Sequence, residues 1–345
     1  MSIDKDVRER RAIFLFYRDY EADKFVKYDR YLKRILRPIY NKLHSKQKKT
    51  GFRVSFEALA RSLADIGYKV YVNDYSSAEK YSSYPVGVVG FPMVLQDWPL
   101  KNPSLLGPSL YDHPGLCPDL FANPAFKKYL VLGDWTYDMF GPLYGWQRCV
   151  KWFAGIDTSD WADTSTMPKD VDFLIYDKIR WDRHVLVPRL LQPITALLEQ
   201  KGYSYNLIRY KMHDHETYKS ALRSAKSMIF LCEHETQGIA YQEALASGLP
   251  VYAWDAGFWA DPLWKAFSTD LIAASSVPFF SDACGMRFKD FGDFSRGIDQ
   301  FVGRVDAFRP RDFVREKLSL QQSAAIYAEA YFSLAAADES ASRDT

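Results

Sequence analysis

Short apolar runs of strand character alternate along this chain with stretches of helical period, and this alternation limits the fold more than any other feature. In the first half the strand-like runs are IFLFY at 13–17, KVYVN at 69–73, VGVVGF within 85–91 and KYLVL at 128–132. A helix is expected over 56–66, where Leu59, Leu63 and Ile66 share one face, Ser55 stands at the N-cap and Gly67 supplies a stop. A second series follows: VDFLIY at 171–176, NLIRY at 206–210, SMIFLC at 227–232 and PVYAW at 250–254, with helical patterns at 185–201, 215–225 and 238–246. Apolar strands with helices between them build parallel sheets covered on both faces, so the expected fold is α/β, with two doubly wound, Rossmann-like domains.

The length of 345 residues suits two domains. The polar stretch DTSDWADTSTMPKD reads as the join, giving an N-terminal domain over 1–157, a linker over 158–170 and a C-terminal domain over 171–318. A last helix, about 319–336, carries Ala325, Tyr327, Ala328, Tyr331 and Phe332 and is expected to pack back on the N-terminal domain, leaving 337–345 as a disordered tail.

Four widely spaced cysteines without a CxxC pair argue against a disulfide framework or a zinc knuckle. The first apolar run is too short for a signal-peptide core or a membrane span, which points to the cytoplasm. No GxxxxGK[ST] segment occurs, so kinase and ATPase readings lose their main support. The net charge of +2 conceals an asymmetry: residues 1–50 hold fifteen Lys or Arg against seven Asp or Glu. Within that region Phe25, Tyr28, Leu32, Ile35, Leu36, Ile39 and Leu43 recur at helical spacing, a basic amphipathic helix over about 25–47 that is interrupted at Pro38. Such a helix can pack on its own domain, lie peripherally on the inner face of an anionic membrane, or meet a charged acceptor. Nucleic acid is not expected as a partner, because no basic strand carries interleaved aromatics.

The stretch richest in chemistry is EHETQGIAYQEALASGLPVYAWDAG, residues 233–257. Glu235 follows a buried strand, where open parallel sheets bind their ligands, and Glu243 lies eight positions later, inside the next helix. Between them Gly238 permits close backbone approach, and the unpaired N–H groups of Gly238 and Ile239 at the helix start suit a diphosphate. An ionised Glu243 can accept hydrogen bonds from both ribose hydroxyls, while Glu235 can stabilise an oxocarbenium-like transition state. A bare E-x7-E spacing arises by chance in Glu-rich helices; here the flanking strand, glycine, helix and SGLPV strand give it context.

Those residues resemble the GT-B retaining glycosyltransferases of the glycosyltransferase family 4 type. GIAYQEALASGLPV is similar to the E-G-F-G-like turn, E-A helix and G-x-P-V strand of that family, with Thr236 and Gln237 departing where a Gly and an aromatic are usual. Residues 129–161 resemble the end of the family's N-terminal domain, with Gly155, Ile156 and Asp157 in its closing turn, and 51–72 resemble its Gly-rich loop, first helix and second strand, with Gly51 at the loop beside the donor. The resemblance implies two domains facing across a cleft, donor in the C-terminal one and acceptor in the N-terminal one. It implies a nucleotide-diphosphate sugar as co-substrate with no cofactor and no catalytic metal, and transfer with retention; the acceptor is expected to be a glycan, lipid-linked or a small molecule. Lys178 and Arg183 stand at the offset of the family's basic pair with the two types exchanged, Arg180 competing, and so are expected to neutralise the diphosphate. His113, in GPSLYDHPGLC, is the counterpart of a loop histidine near the donor sugar and a candidate catalytic group. His213, His215 and His234 lack the carboxylates and spacing of a metal site. Two rivals remain: a non-catalytic nucleotide-sugar binder, against which the pair Glu235 and Glu243 argues, and a GT-B epimerase or phosphorylase, for which no matching pattern is found.

Overall fold

The computed structural model describes residues 3–18 and 51–341, so the basic stretch at 25–47, and with it the expected membrane contact, lies outside the described residues. The chain forms two compact units, one of Met1–Asp112, Leu116–Leu130 and Ala324–Thr345, the other of His113–Gly115 and Val131–Ser323.

In the first unit, β1 (Ala12–Arg18), β2 (Lys69–Val72), β3 (Val86–Gly90), β4 (Ser104–Leu106) and β5 (Phe126–Leu132) are ordered β2-β1-β3-β4-β5, while β6 spans Cys149–Trp152. The pairs β1–β2, β1–β3, β3–β4 and β4–β5 are parallel. Ala12 to Phe16 have no solvent exposure, as a central strand apolar on both faces requires. The final helix, Leu320–Ala341, sends Tyr331 into this core, where its hydroxyl accepts the Phe14 N–H (3.0 Å) and donates to the Pro85 carbonyl. Gly87 leaves room for the same helix, since a Cβ there would stand 1.9 Å from the Tyr327 hydroxyl.

Two expectations need correction. The helix expected from Phe56 begins at Gly51, which places Ser55 inside it rather than at its cap, and Gly51 is the first helical residue rather than part of a loop. Its C-terminus is as expected, with Gly67 at φ +98° and the Tyr68 N–H returning to the Leu63 carbonyl. The final helix continues through Ala341, into the stretch expected to be a disordered tail. Its run of Ala, Glu and Ser lacks a Gly or Pro that would stop it; residues 342–345 lie outside the described ones.

The second unit holds an all-parallel sheet of β7 (Val171–Lys178), β8 (Tyr205–Arg209), β9 (Ala225–Cys232), β10 (Val251–Trp254) and β11 (Gly285–Phe288), in the order β11-β10-β9-β7-β8. The expected helix at 185–201 is a composite, Arg183–Leu186, a π-turn at Val187–Leu191 and Gln192–Gln200, because Pro188 and Pro193 each lack the N–H that a regular ladder needs. Phe173, Ile175, Ile194, Leu198, Ile229 and Ile298 centre one core on this sheet. β4 and β11 span three and four residues, too short for a periodic signal to stand out.

Candidate functional site

The strand order of the second sheet reverses between β7 and β9, and ligands of open α/β sheets bind in the crevice beyond the strand ends at such a reversal. Lys178, the last residue of β7, is in register with Cys232, the last of β9. The segments leaving those strands therefore run side by side. That is why Lys178 and Glu235, 57 positions apart, meet as an ion pair with side chains 12% and 9% exposed. The Lys178 ammonium also lies 4.5 Å from the centre of the Tyr210 ring. Burial alone pulls its pKa down, but the Glu235 carboxylate outweighs burial together with smaller contributions, and the net shift is upward. Burial holds the neighbouring Cys232 thiol well above its ordinary pKa, so it is a neutral group beside the pair.

The turn carrying Glu235 is held by its backbone, which leaves the carboxylate to the crevice. Its N–H donates to the Ser275 carbonyl (2.9 Å) and its carbonyl accepts from Trp135 Nε1 (2.9 Å). Asp255, just beyond β10, fixes the receiving segment by accepting from the Ser275 hydroxyl and the Ser276 N–H. Gln237 accepts the Ala154 N–H (2.9 Å) and donates to Gln242 Oε1 (2.7 Å), so the side chain standing where an aromatic is usual braces the turn.

Gly238 adopts φ +78°, and a Cβ there would fall 2.1 Å from the Tyr241 ring. No other residue fits that position without displacing a ring whose hydroxyl is bonded to both the N–H and the carbonyl of Phe279. The helix Ile239–Ala246 follows with no side-chain cap. Glu243 lies within it, and burial, then the nearby Asp160, raises its pKa well above the ordinary 4.5. No hydrogen bond reaches its carboxylate among the described residues. Burial and then the Glu243 charge also push the Tyr218 hydroxyl well up, and Tyr218 packs on the same helix by donating to the Ala240 carbonyl.

Arg183 is placed differently from its expected partner Lys178. Its guanidinium forms a two-pronged bond with Asp177, at 2.8 and 2.7 Å, and a third bond to the Ile179 carbonyl (2.6 Å). Asp177 is 2% exposed. An acid ending the apolar run VDFLIYD was the sequence signal for a buried partner. Arg180 donates to the His234 carbonyl and lies 4.2 Å from the centre of the Trp181 ring.

Sequence reasoning missed Glu233, and it weighed His234 only as a metal ligand. Glu233 is buried, and its Oε1 accepts the N–H groups of Arg180 (2.7 Å) and Trp181 (3.0 Å). His234 stacks on Trp181 with ring centres 5.0 Å apart and accepts the Ala260 N–H on Nδ1. Burial, then Arg180 and Lys178, lower its pKa to about 3, so it is a neutral structural ring at physiological pH. The run EHE places two carboxylates on one side of an extended segment, which is the only local hint of Glu233.

His113 belongs to the second unit, where its ring stacks on Phe267 (4.0 Å) and more distantly on Trp259 (5.9 Å). Its Nδ1 accepts the Gly115 N–H (2.9 Å) and burial lowers its pKa, so the neutral ring carries its proton on Nε2. His213 contacts Tyr176 and His215 contacts Asp160, apart from His234's partners. Among the described residues no group of three or more His, Cys, Asp or Glu is arranged to hold a metal ion. Likewise, no described helix is long and apolar enough to cross a membrane.

No protein-family model matches the sequence, and no curated protein matches it. Among the solved structures that resemble the chain along nearly its whole length are two. One is AviGT4, a glycosyltransferase involved in avilamycin A biosynthesis, with a TM-score of 0.50 at 12% identity over 94% of this chain and 98% of that one. The other is a sucrose-phosphate synthase from Thermosynechococcus elongatus, with a TM-score of 0.54 at 13% identity over 95% of this chain and 100% of that one. At such identities the likeness concerns the fold, and the fold is GT-B: two parallel-sheet α/β units.

Proposed function

We propose that this chain is a retaining glycosyltransferase that takes a sugar from a nucleotide-diphosphate donor held by the second unit. The observation that carries the reading is the Lys178–Glu235 pair at the strand-order reversal, beside an uncapped helix start at Gly238. Breaking a glycosidic bond to diphosphate separates a negative leaving group from a positive oxocarbenium-like ring. A resident cation and a resident anion in one crevice match those two charges, and in a site shielded from water each acts strongly.

In this reading Lys178 turns toward the leaving diphosphate, whose other oxygens meet the N–H groups of Gly238 and Ile239. Glu235 is then released to stabilise the sugar cation. The acceptor oxygen bonds to the anomeric carbon on the face the phosphate leaves, and its proton passes to the departing phosphate oxygen, so no protein base is consumed. Glu243 accepts the ribose hydroxyls. His113, as a neutral ring with Nε2–H outward from its own bond to Gly115, is a hydrogen-bond donor to a sugar hydroxyl rather than a base. The acceptor, as a glycan or lipid-linked glycan, and membership of family 4 belong to the same proposal, as does any membrane contact of the 25–47 region.

The test is nucleotide release over a panel of UDP-, GDP-, ADP- and dTDP-sugars. Sugar-dependent release should fall about 10²–10³-fold in Glu235→Gln, the cost of removing one preorganised charge-stabilising group. Nucleotide binding by calorimetry without turnover, across the panel and with candidate acceptors, would replace the enzyme with a binder.

A further inference from the structure

We infer that Arg180, and not Arg183, is the guanidinium that faces the donor diphosphate, and that the buried carboxylate of Glu233 is its positioning residue. This rests on the donor reading above and assigns charges within that site.

Arg183 has little freedom to leave its place. Two of its nitrogens are committed to the two oxygens of Asp177, and one also serves the Ile179 carbonyl. Asp177 is 2% exposed and additionally accepts the Ile179 N–H (3.1 Å), so withdrawing the guanidinium would leave a buried carboxylate without its counter-charge. Arg183 is therefore committed to the end of β7.

Arg180 is attached but not saturated. One nitrogen donates to the His234 carbonyl, and the same nitrogen lies 3.8 Å from the Cys232 sulfur. The guanidinium lies over Trp181, and Nε stands 3.7 Å from Glu233 Oε2, beyond hydrogen-bond length. Its side chain is 29% exposed, against 2% for that of Glu233. A guanidinium has five donor hydrogens, so several remain for two phosphate oxygens in the planar, two-pronged manner that suits them.

Glu233 explains why this arginine sits there. Oε1 takes the N–H groups of residues 180 and 181 together, which binds the segment after β7 to the segment after β9 at the strand-order reversal. Oε2 is buried without a hydrogen bond, and its nearest cation is Arg180. A carboxylate so poorly satisfied costs stability, and burial raises its pKa accordingly. Its return is the orientation of Arg180, whose backbone and side chain it holds at once. Trp181, over whose ring the Arg180 guanidinium lies, is itself stacked on His234.

The experiment compares calorimetric affinities of the full chain for nucleoside diphosphates and for the matching nucleosides, so that their ratio isolates the diphosphate. In Arg180→Ala the ratio should fall about tenfold or more, the worth of charge-assisted bonds, with nucleoside affinity unchanged. In the paired variant Asp177→Asn/Arg183→Met, which leaves no lone buried charge, the ratio should stay as in the wild type. Glu233→Gln should lower the ratio less than Arg180→Ala does, and should add nothing in the Arg180→Ala background. A ratio that falls with Arg183 and holds without Arg180 would overturn the assignment alone, and an undiminished effect of Glu233→Gln without Arg180 would overturn the positioning role. Absence of nucleotide binding by the wild type across UDP, GDP, ADP and dTDP would sink the donor reading and the assignment with it.

Discussion

Each of the two sheets reverses its strand order once, yet the reversals are furnished differently. In the first unit the turn lies between β1 and β3, where Arg18 is in register with Gly90. Beside it a neutral amide closes the strand ends: Asn73 accepts the Tyr17 N–H (2.9 Å) and donates to the Tyr17 carbonyl (3.0 Å). In the second unit the corresponding place gathers Asp177, Lys178, Arg180, Arg183, Glu233 and Glu235, of which Asp177, Glu233 and Glu235 are buried. The winding is alike in both units, and among the described residues buried carboxylates gather at the second reversal. Function is read from the site and not from the topology alone.

The largest effect expected from this contrast is on stability. Arg183→Met leaves Asp177 buried and uncompensated, and should cost roughly 3–5 kcal/mol in a denaturant titration. The paired variant Asp177→Asn/Arg183→Met should recover most of that loss, because both charges are gone. If the single and paired variants unfold alike, the Asp177–Arg183 bond is not what holds the end of β7, and the charged reversal loses its structural half.

These charges were legible in the sequence to different degrees, and the reason is distance along the chain. Glu235, Gly238, Ile239 and Glu243 lie within nine positions, so strand, turn and helix periods placed them without tertiary information. Lys178 was found by its offset, but its partner Glu235 is fixed by the register of β7 against β9, which no local pattern encodes. The same offset singled out Arg183, where the partner is an acid only six positions before it that local reading left aside. Glu233 was passed over because a carboxylate at a strand end reads as exposed, whereas here two amides from another segment draw it inward. Strand order itself, which locates the crevice, follows from long-range packing of near-equivalent apolar runs.

A second, smaller effect separates ligand binding from stability within the charged region. Burial raises the folded pKa of Glu243 above its ordinary 4.5. The sign follows: its contribution to stability is full below about 4.5 and is lost as pH rises from there toward the raised value, because the charged form is disfavoured only in the folded state. Glu243→Gln should therefore unfold at a higher temperature than the wild type at neutral pH, by roughly 2–4 °C per kcal/mol recovered, with the gap closing on acidification. The same variant should bind nucleotide about tenfold or more weakly, since the ribose hydroxyls would meet one amide oxygen in place of the carboxyl group. A variant both less stable and unchanged in affinity would make Glu243 an ordinary helix residue and narrow the functional region to Lys178 and Glu235.

The smallest effect probes the reversal in the first unit. Asn73 adopts φ +55°, a backbone region that asparagine tolerates better than most side chains, and its amide completes two backbone hydrogen bonds at once. Asn73→Ala keeps the strained backbone and loses both bonds, for a destabilisation of roughly 1 kcal/mol. Because the lost contacts are neutral and lie within the first unit, affinity for nucleoside diphosphate should be unchanged, and thermal unfolding beside calorimetry on the same preparation measures both. A fall in diphosphate affinity would mean that the first unit's reversal takes part in donor binding. The division between a reversal built on buried ion pairs and one closed by an amide would then fail at the point where it is most easily tested.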